Sequence, residues 1–328
     1  MLRSTFFKLS AKLCLVVPFA MSAQCATAQP YPAKPVKIVV GYSPGGPVDI
    51  LGRVLAQRLS TTMGQSFIVE NKGGAAGAIG AEQVARAPAD GYTLLTTVPS
   101  VFTIVPHTLD KARVQAQDFA PVIQFAESPL VLAVSASVPA NNLNELIALL
   151  NKPGAKLSYA SAGEGTLPHL AMELLLSRTG GRPVHVPYKG SGPAVQDLVG
   201  GQVDFALEVL PSILPMVKAG RVKALAVTSR ARVAELPQVP TVSEAGVHGY
   251  EAVNWFGVYA PAATPKPILA QLRTNVEKAV TDKEMQQRFS ELGAVVAVQG
   301  PADMAERLQR ESQQWGALIH KLGLPSRP

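Results

Sequence analysis

VKIVVGYSPGGPVDILGRVLAQRLS, residues 36–60, sets the architecture. Val36, Ile38, Val39 and Val40 make a short apolar run that reads as a buried strand. Leu51, Leu55, Leu59 and Met63 then fall at i, i+4, i+8 and i+12. That spacing places them on one face of a helix from about residue 49 to 63. Gly41, Gly45 and Gly46, with Pro44 and Pro47, form the link. Glycine lets the backbone turn sharply and approach a ligand closely. Pro47 suits a first helical turn, where its missing N–H costs nothing. Asp49 can accept from that turn's free amides, and Ser43 adds a hydroxyl. Such a helix start favours an anion. A plain strand-to-helix connection with a capping Asp is the alternative. No Gly-Lys-Ser/Thr follows, which excludes a phosphate-binding P-loop.

The same alternation extends in both directions. Strands are expected at 66–71, 92–98, 131–136, 157–161, 183–188, 203–210, 222–229, 251–261 and 294–298. Helices are expected at 77–87, 142–150, 168–178 and 193–199, then before Gly220, and at 266–280, 282–292 and 301–322. This is an α/β chain of mostly parallel sheets flanked by helices. Such sheets bind ligands beyond the carboxyl ends of their strands. The unusual loops 42–48, 160–167 and 188–192 lie at those ends.

The chain has 328 residues, is 47% hydrophobic and carries 27 Gly and 27 Pro, enough for two cores. Residues 1–28 differ from the rest. Arg3, Lys8 and Lys12 precede the apolar run LCLVVPFAMSA, and Ala26-Thr27-Ala28 offers small residues for cleavage. A cleavable secretory signal peptide is expected there, and an exported protein after it. The run is too short for a membrane span, which needs roughly 20 apolar residues. Both cysteines, Cys14 and Cys25, lie in this leader, so thiol catalysis and thiolate metal sites are excluded from the mature chain. Removing its three basic residues leaves 27 Lys+Arg against 23 Asp+Glu, a net charge of +4. The charges are scattered, which gives nucleic-acid binding no support and weakly favours anionic small molecules.

A second cradle is Ala160-Ser161-Ala162-Gly163-Glu164-Gly165-Thr166, with Pro168 opening the next helix. Two hydroxyls and two glycines at a second helix start suit a two-ended anion. Gly74-x-x-Gly77-x-x-Gly80 lacks the opening of a dinucleotide fingerprint. It reads as a close-packing helix, with the amides around Ala76 and Gly77 as a second ligand contact. His169 and Glu208 are further contact candidates, each with a structural alternative: a satisfied histidine and a solvated turn carboxylate. No metal spacing, catalytic constellation or cofactor motif is present.

Taken in order, YPAKPVKIVV, SPGGPVD, VENKGGAAGAIGAE, APADGYTLL, SYASAGEGTLPHLAMELL, VPYKGSGPAVQDLVGGQVD, GRVKALAVTS, LPQVPTVSEAG and WFGVYAP carry a specific likeness. The chain resembles the tripartite tricarboxylate transporter receptors, or Bug proteins, periplasmic solute-binding proteins of bacteria. The likeness runs from about Tyr31 almost to the C-terminus. It implies a two-lobed, Venus-flytrap fold, with crossings near 128–138 and 250–261. Lobe one would hold 29–130 and 254–328, and lobe two 131–253. The family's ligand loops map onto Tyr42, Ser43, Gly45, Gly46 and Asp49, and onto Ser161, Gly163, Gly165 and Thr166. The implied ligand is a small carboxylate, the implied partners the permease subunits of such a transporter, and the receptor a monomer without cofactor. Many members have Gly-Gly-Ala/Ser-Thr-Asp where this chain has Gly-Gly-Pro-Val-Asp, so Val48 lacks a hydroxyl and Pro47 an amide. Asn71-Lys72-Gly73-Gly74 stands where Asn-Arg-Pro-Gly is common. The competing functions are an exported hydrolase using Ser161 and His169, and a ligand sensor for a membrane kinase.

Overall fold

A computed structural model describes residues 31–109 and 114–324; the expected leader lies outside them. In chain order the strands are β1 (Val36–Val40), β2 (Phe67–Asn71), β3 (Thr93–Thr97), β4 (Phe119–Ser135), β5 (Ser158–Ser161), β6 (Val184–Pro187), β7 (Phe205–Val209), β8 (Val222–Val227), β9 (Val253–Pro261) and β10 (Val295–Gln299). The helices are α1 (Pro47–Met63), α2 (Ala78–Ala85), α3 (Ser100–Thr103), α4 (Val105–Thr108), α5 (Leu143–Leu150), α6 (Leu167–Thr179), α7 (Ser191–Val199), α8 (Leu210–Lys218), α9 (Lys266–Val280), α10 (Lys283–Glu291) and α11 (Pro301–Leu322). None of these is long and apolar enough to cross a membrane.

The sheet divides into two helix-flanked halves that meet at β4, in keeping with the two-lobed α/β expectation. One half of the sheet runs β2-β1-β3-β9-β4, the other β4-β7-β5-β6; β10 and β8 also pair with β4. The parallel expectation holds for β1, β2 and β3 and for β5, β6 and β7. Crossover strands add antiparallel pairs, so both halves are mixed. Helix α1 buries Leu51, Leu55 and Leu59 completely, while Met63 stays half-buried. Each such leucine contributes about 1.5–3 kcal/mol of burial.

β4 is the spine. It pairs with β9 as far as Pro129 and with β7 from Leu130 onward. Only its second half was legible in the sequence. Pro121 and Pro129 break the alternating pattern, and prolines normally argue against a central strand. The chain returns through Thr228. Its hydroxyl receives the Leu130 amide at 2.8 Å and donates to the Ala252 carbonyl at 2.5 Å, tying both crossings together.

Candidate ligand-binding site

The first cradle is built by Asp49. The Gly45 amide donates to Asp49 Oδ2 at 3.0 Å, which holds Gly45 at φ 81°. Arg53 Nε and Asn71 Nδ2 donate to Oδ1, each at 2.9 Å, and Asn71 also donates to the Tyr42 carbonyl. Burial raises the Asp49 pKa, but the hydrogen bonds from Arg53, Gly45 and Asn71 outweigh it and hold the carboxyl below its usual range. Asp49 therefore shapes the loop with its side chain. Asp49→Ala is expected to cost about 2–3 kcal/mol in urea unfolding at neutral pH, because hydrogen bonds to a charged group are lost. The depressed pKa means that this contribution is complete above the unfolded pKa. It disappears only as pH falls through the lower folded pKa.

Tyr42 leaves the same loop and is buried. Its hydroxyl donates to the Ala76 carbonyl at 2.8 Å and lies 3.4 Å from Ser100 Oγ. Burial pushes its pKa to about 12, against smaller opposing effects of Ser100 and Thr97, so it stays a neutral donor. Ala75 and Ala76 sit at φ 48° and 51°, positions non-glycine residues rarely adopt. Such strain tends to collect at functional sites. The close-packing reading of the Gly74–Gly80 run holds: a Cβ on Gly80 would meet Gly41 Cα at 2.7 Å.

In the second cradle, Thr166 Oγ1 donates to the Gly163 carbonyl at 2.6 Å, and the Gly163 amide donates to Ser161 Oγ. Ser161 Oγ lies 2.7 Å from His185 Nε2. His185 is stacked between His169 and Tyr159, at centroid distances of 4.3 and 4.6 Å. The pairing of Ser161 with His169 required by the hydrolase alternative is thus replaced by Ser161 with His185.

The starts of α1, α6 and α7 converge on one cavity. Tyr42, Pro47, Val48, Val98 and Ser100 line it from one lobe. Ala162, Thr166, Leu167, Pro168, Ser191 and Val209 line it from the other, with Asn254 of β9 behind. Its volume is about 20 Å³, room for roughly one water. An adjoining cavity of about 160 Å³ sets Ala76 and Gly77 against Gly163, with Tyr42 and Ala162 common to both. None of the three helix starts has a side-chain cap. Among the described residues no lysine or arginine lines the central cavity.

Of the residues singled out in the sequence, Tyr42 and Thr166 line the central cavity, and Tyr42, Ala76, Gly77 and Gly163 the adjoining one. Ser43 instead bridges the lobes: its amide and hydroxyl donate to the Lys189 carbonyl at 3.3 and 2.9 Å. Gly45 and Gly46 face Gly192 and Ser191, and a Cβ on Gly165 would strike Thr108 Oγ1 at 2.6 Å. Ser161 and His169 line neither cavity: Ser161 meets His185 through its hydroxyl, and His169 stacks on the same imidazole. Glu208 is not the solvated turn carboxylate of the alternative. It is fully buried, beside Ser191, with neither carboxylate oxygen in hydrogen-bond geometry with a partner. Ser191, Asn254, Ser100 and Val209 were missed. Ser191 had a signal in its flanking glycines; the others are single residues that only folding brings to the cleft. Among the described residues no group of three His, Cys, Asp or Glu side chains could hold a metal.

The sequence profile of the family described as "Tripartite tricarboxylate transporter family receptor" matches residues 51–324. A protein from Pseudomonas sp. strain P51, described as "UPF0065 protein in tcbD-tcbE intergenic region", is 36% identical, with 92% of this chain and 91% of that one covered. Among solved structures, "R. palustris Rpa4515 with adipate" is 36% identical at TM-score 0.87, covering 89% of this chain and 98% of its own. The periplasmic binding protein BugD is also 36% identical at TM-score 0.87, with 90% and 100% covered. MatC from Rhodopseudomonas palustris, with bound malate, is 31% identical at TM-score 0.82, with 88% and 100% covered.

Proposed function

Because the chain belongs to the tripartite tricarboxylate transporter receptor family, we propose that it captures a small carboxylate between its lobes in the periplasm and delivers it to a permease of that transporter type. The observation that carries this reading is the convergence of three uncapped helix starts, drawn from both lobes, on one cavity. Backbone amides at helix starts point outward together, and the aligned peptide dipoles favour an anion there. Adipate and malate in related structures agree in chemical class.

The protein acts by binding and closing, without turning its ligand over. Ser161 is fully buried and its oxygen already receives the Gly163 amide, which leaves it poorly placed to attack a substrate. Ester hydrolysis that vanished in Ser161→Ala would overturn that statement.

A thermal-shift screen of organic acids tests the receptor. At a ligand concentration 100-fold above Kd, about 2.7 kcal/mol of stabilisation is expected, a rise of roughly 5 °C in Tm for a chain of this size. A flat response to every carboxylate would remove the proposal. Delivery to a permease is tested separately, by uptake in cells lacking the receptor: the acid that binds should stop entering.

A further inference from the structure

Resting on that reading, we infer that this cleft selects an acid with a single carboxylate and an uncharged far end, and that Glu208 enforces the choice. The three helix starts are not equivalent. In the first turn of α1, Asp49 is negative, but its carboxylate is paired with Arg53 and Asn71. α6 has no acidic residue in its first turn. α7 has none of its own either, but Glu208 lies beside its first residue, Ser191. Glu208 is fully buried, and neither of its oxygens has a well-formed hydrogen bond; Ser191 and the Val209 amide lie near it but only partly offset its burial. Glu208 lines neither cavity, but it sits behind Ser191 at the start of α7, where its carboxyl opposes the dipole that would favour a guest anion. One carboxylate can therefore draw on α1 and α6, while a second meets an end already opposed by an acid.

The rest of the wall agrees. Val48, Val98, Leu167 and Val209 present hydrocarbon to the central cavity, where no lysine or arginine lines the wall among the described residues; Lys189 lines only the adjoining cavity. A second charge would lose its water without gaining a partner, the costly case for burial. Val48 supplies no hydroxyl and Pro47 no amide, so α1 is also short of donors for a two-headed guest. Asn254 lines the same cavity with a buried Oδ1 that has no partner, a site for an uncharged hydrogen-bonding group. The ligand class is then a monocarboxylate with an apolar body and a neutral polar terminus.

Titration calorimetry at pH 7.5 with succinate, adipate and the monomethyl ester of each tests this on the intact mature protein. Each pair shares chain length and differs in one charge. The monoester is expected to bind about tenfold or more tightly than its diacid. In Glu208→Gln that ratio should shrink below about threefold, through tighter binding of the diacid. Equal or tighter diacid binding by the unmodified protein overturns the inference, as does an unchanged ratio in Glu208→Gln. Either result leaves the carboxylate receptor intact, whereas silence across the wider acid screen removes the receptor reading itself.

Discussion

Glu208→Gln should make the protein more stable by about 3 kcal/mol at pH 8 and leave its stability unchanged at pH 4. Burial is the main cause: it raises the Glu208 pKa from 4.5 to about 7, with small opposing contributions from Ser191 and the Val209 amide. The carboxyl lies on β7 opposite Val131 of β4, on the face shared with Ala206 and packed under α7. Below the unfolded pKa both states are protonated and the group is neutral to folding. Between about pH 4.5 and 7 the unfolded chain ionises first, so stability falls as pH rises. Above about 7 the folded state is ionised too, and the cost becomes constant. Each pKa unit corresponds to about 1.4 kcal/mol, which gives the expected size. Urea unfolding of both proteins at pH 4, 6 and 8 measures it. A difference independent of pH would show that Glu208 has no raised pKa.

Gly192→Ala should weaken ligand binding about 100-fold or more while the free protein stays folded. A Cβ at residue 192 would lie 2.3 Å from the Pro44 carbonyl oxygen, across the lobe contact. The obstacle is backbone, so no rotamer change relieves it. Gly192 is in the first turn of α7 and does not have positive φ, so alanine fits its own lobe. Alanine is also the better helix former, by up to about 1 kcal/mol. The cost falls on closure alone, and a ligand gripped from both sides binds only as well as the lobes can close. Calorimetry should show the lost affinity, and circular dichroism an unchanged Tm without ligand. Unaltered affinity would mean that the contact of residues 43–46 with 189–192 plays no part in the bound state.

The sequence by itself determined the order of elements and the two glycine-rich helix starts. These depend on local chemistry: hydrophobic period, proline at first turns, glycine where the chain turns back. Residues 36–60 are the clearest case, since the leucines predicted to face inward are the ones buried. Family resemblance supplied the two lobes, and the matching profile and structures bore it out. Tertiary structure decided what each loop residue does. Ser43 and Thr166 look alike in sequence as hydroxyls beside glycines, yet Ser43 bridges the lobes and Thr166 lines the cavity. The partner of Ser161 proved to be His185, because parallel pairing sets β6 beside β5 and places Tyr159 opposite His185. The burial of Glu208 was equally invisible, since it depends on α7 packing over β7. Local signals fix which segments turn, cap and alternate. Which side chains meet across a cleft depends on strand register and lobe closure, and those arise only when distant parts of the chain pack together.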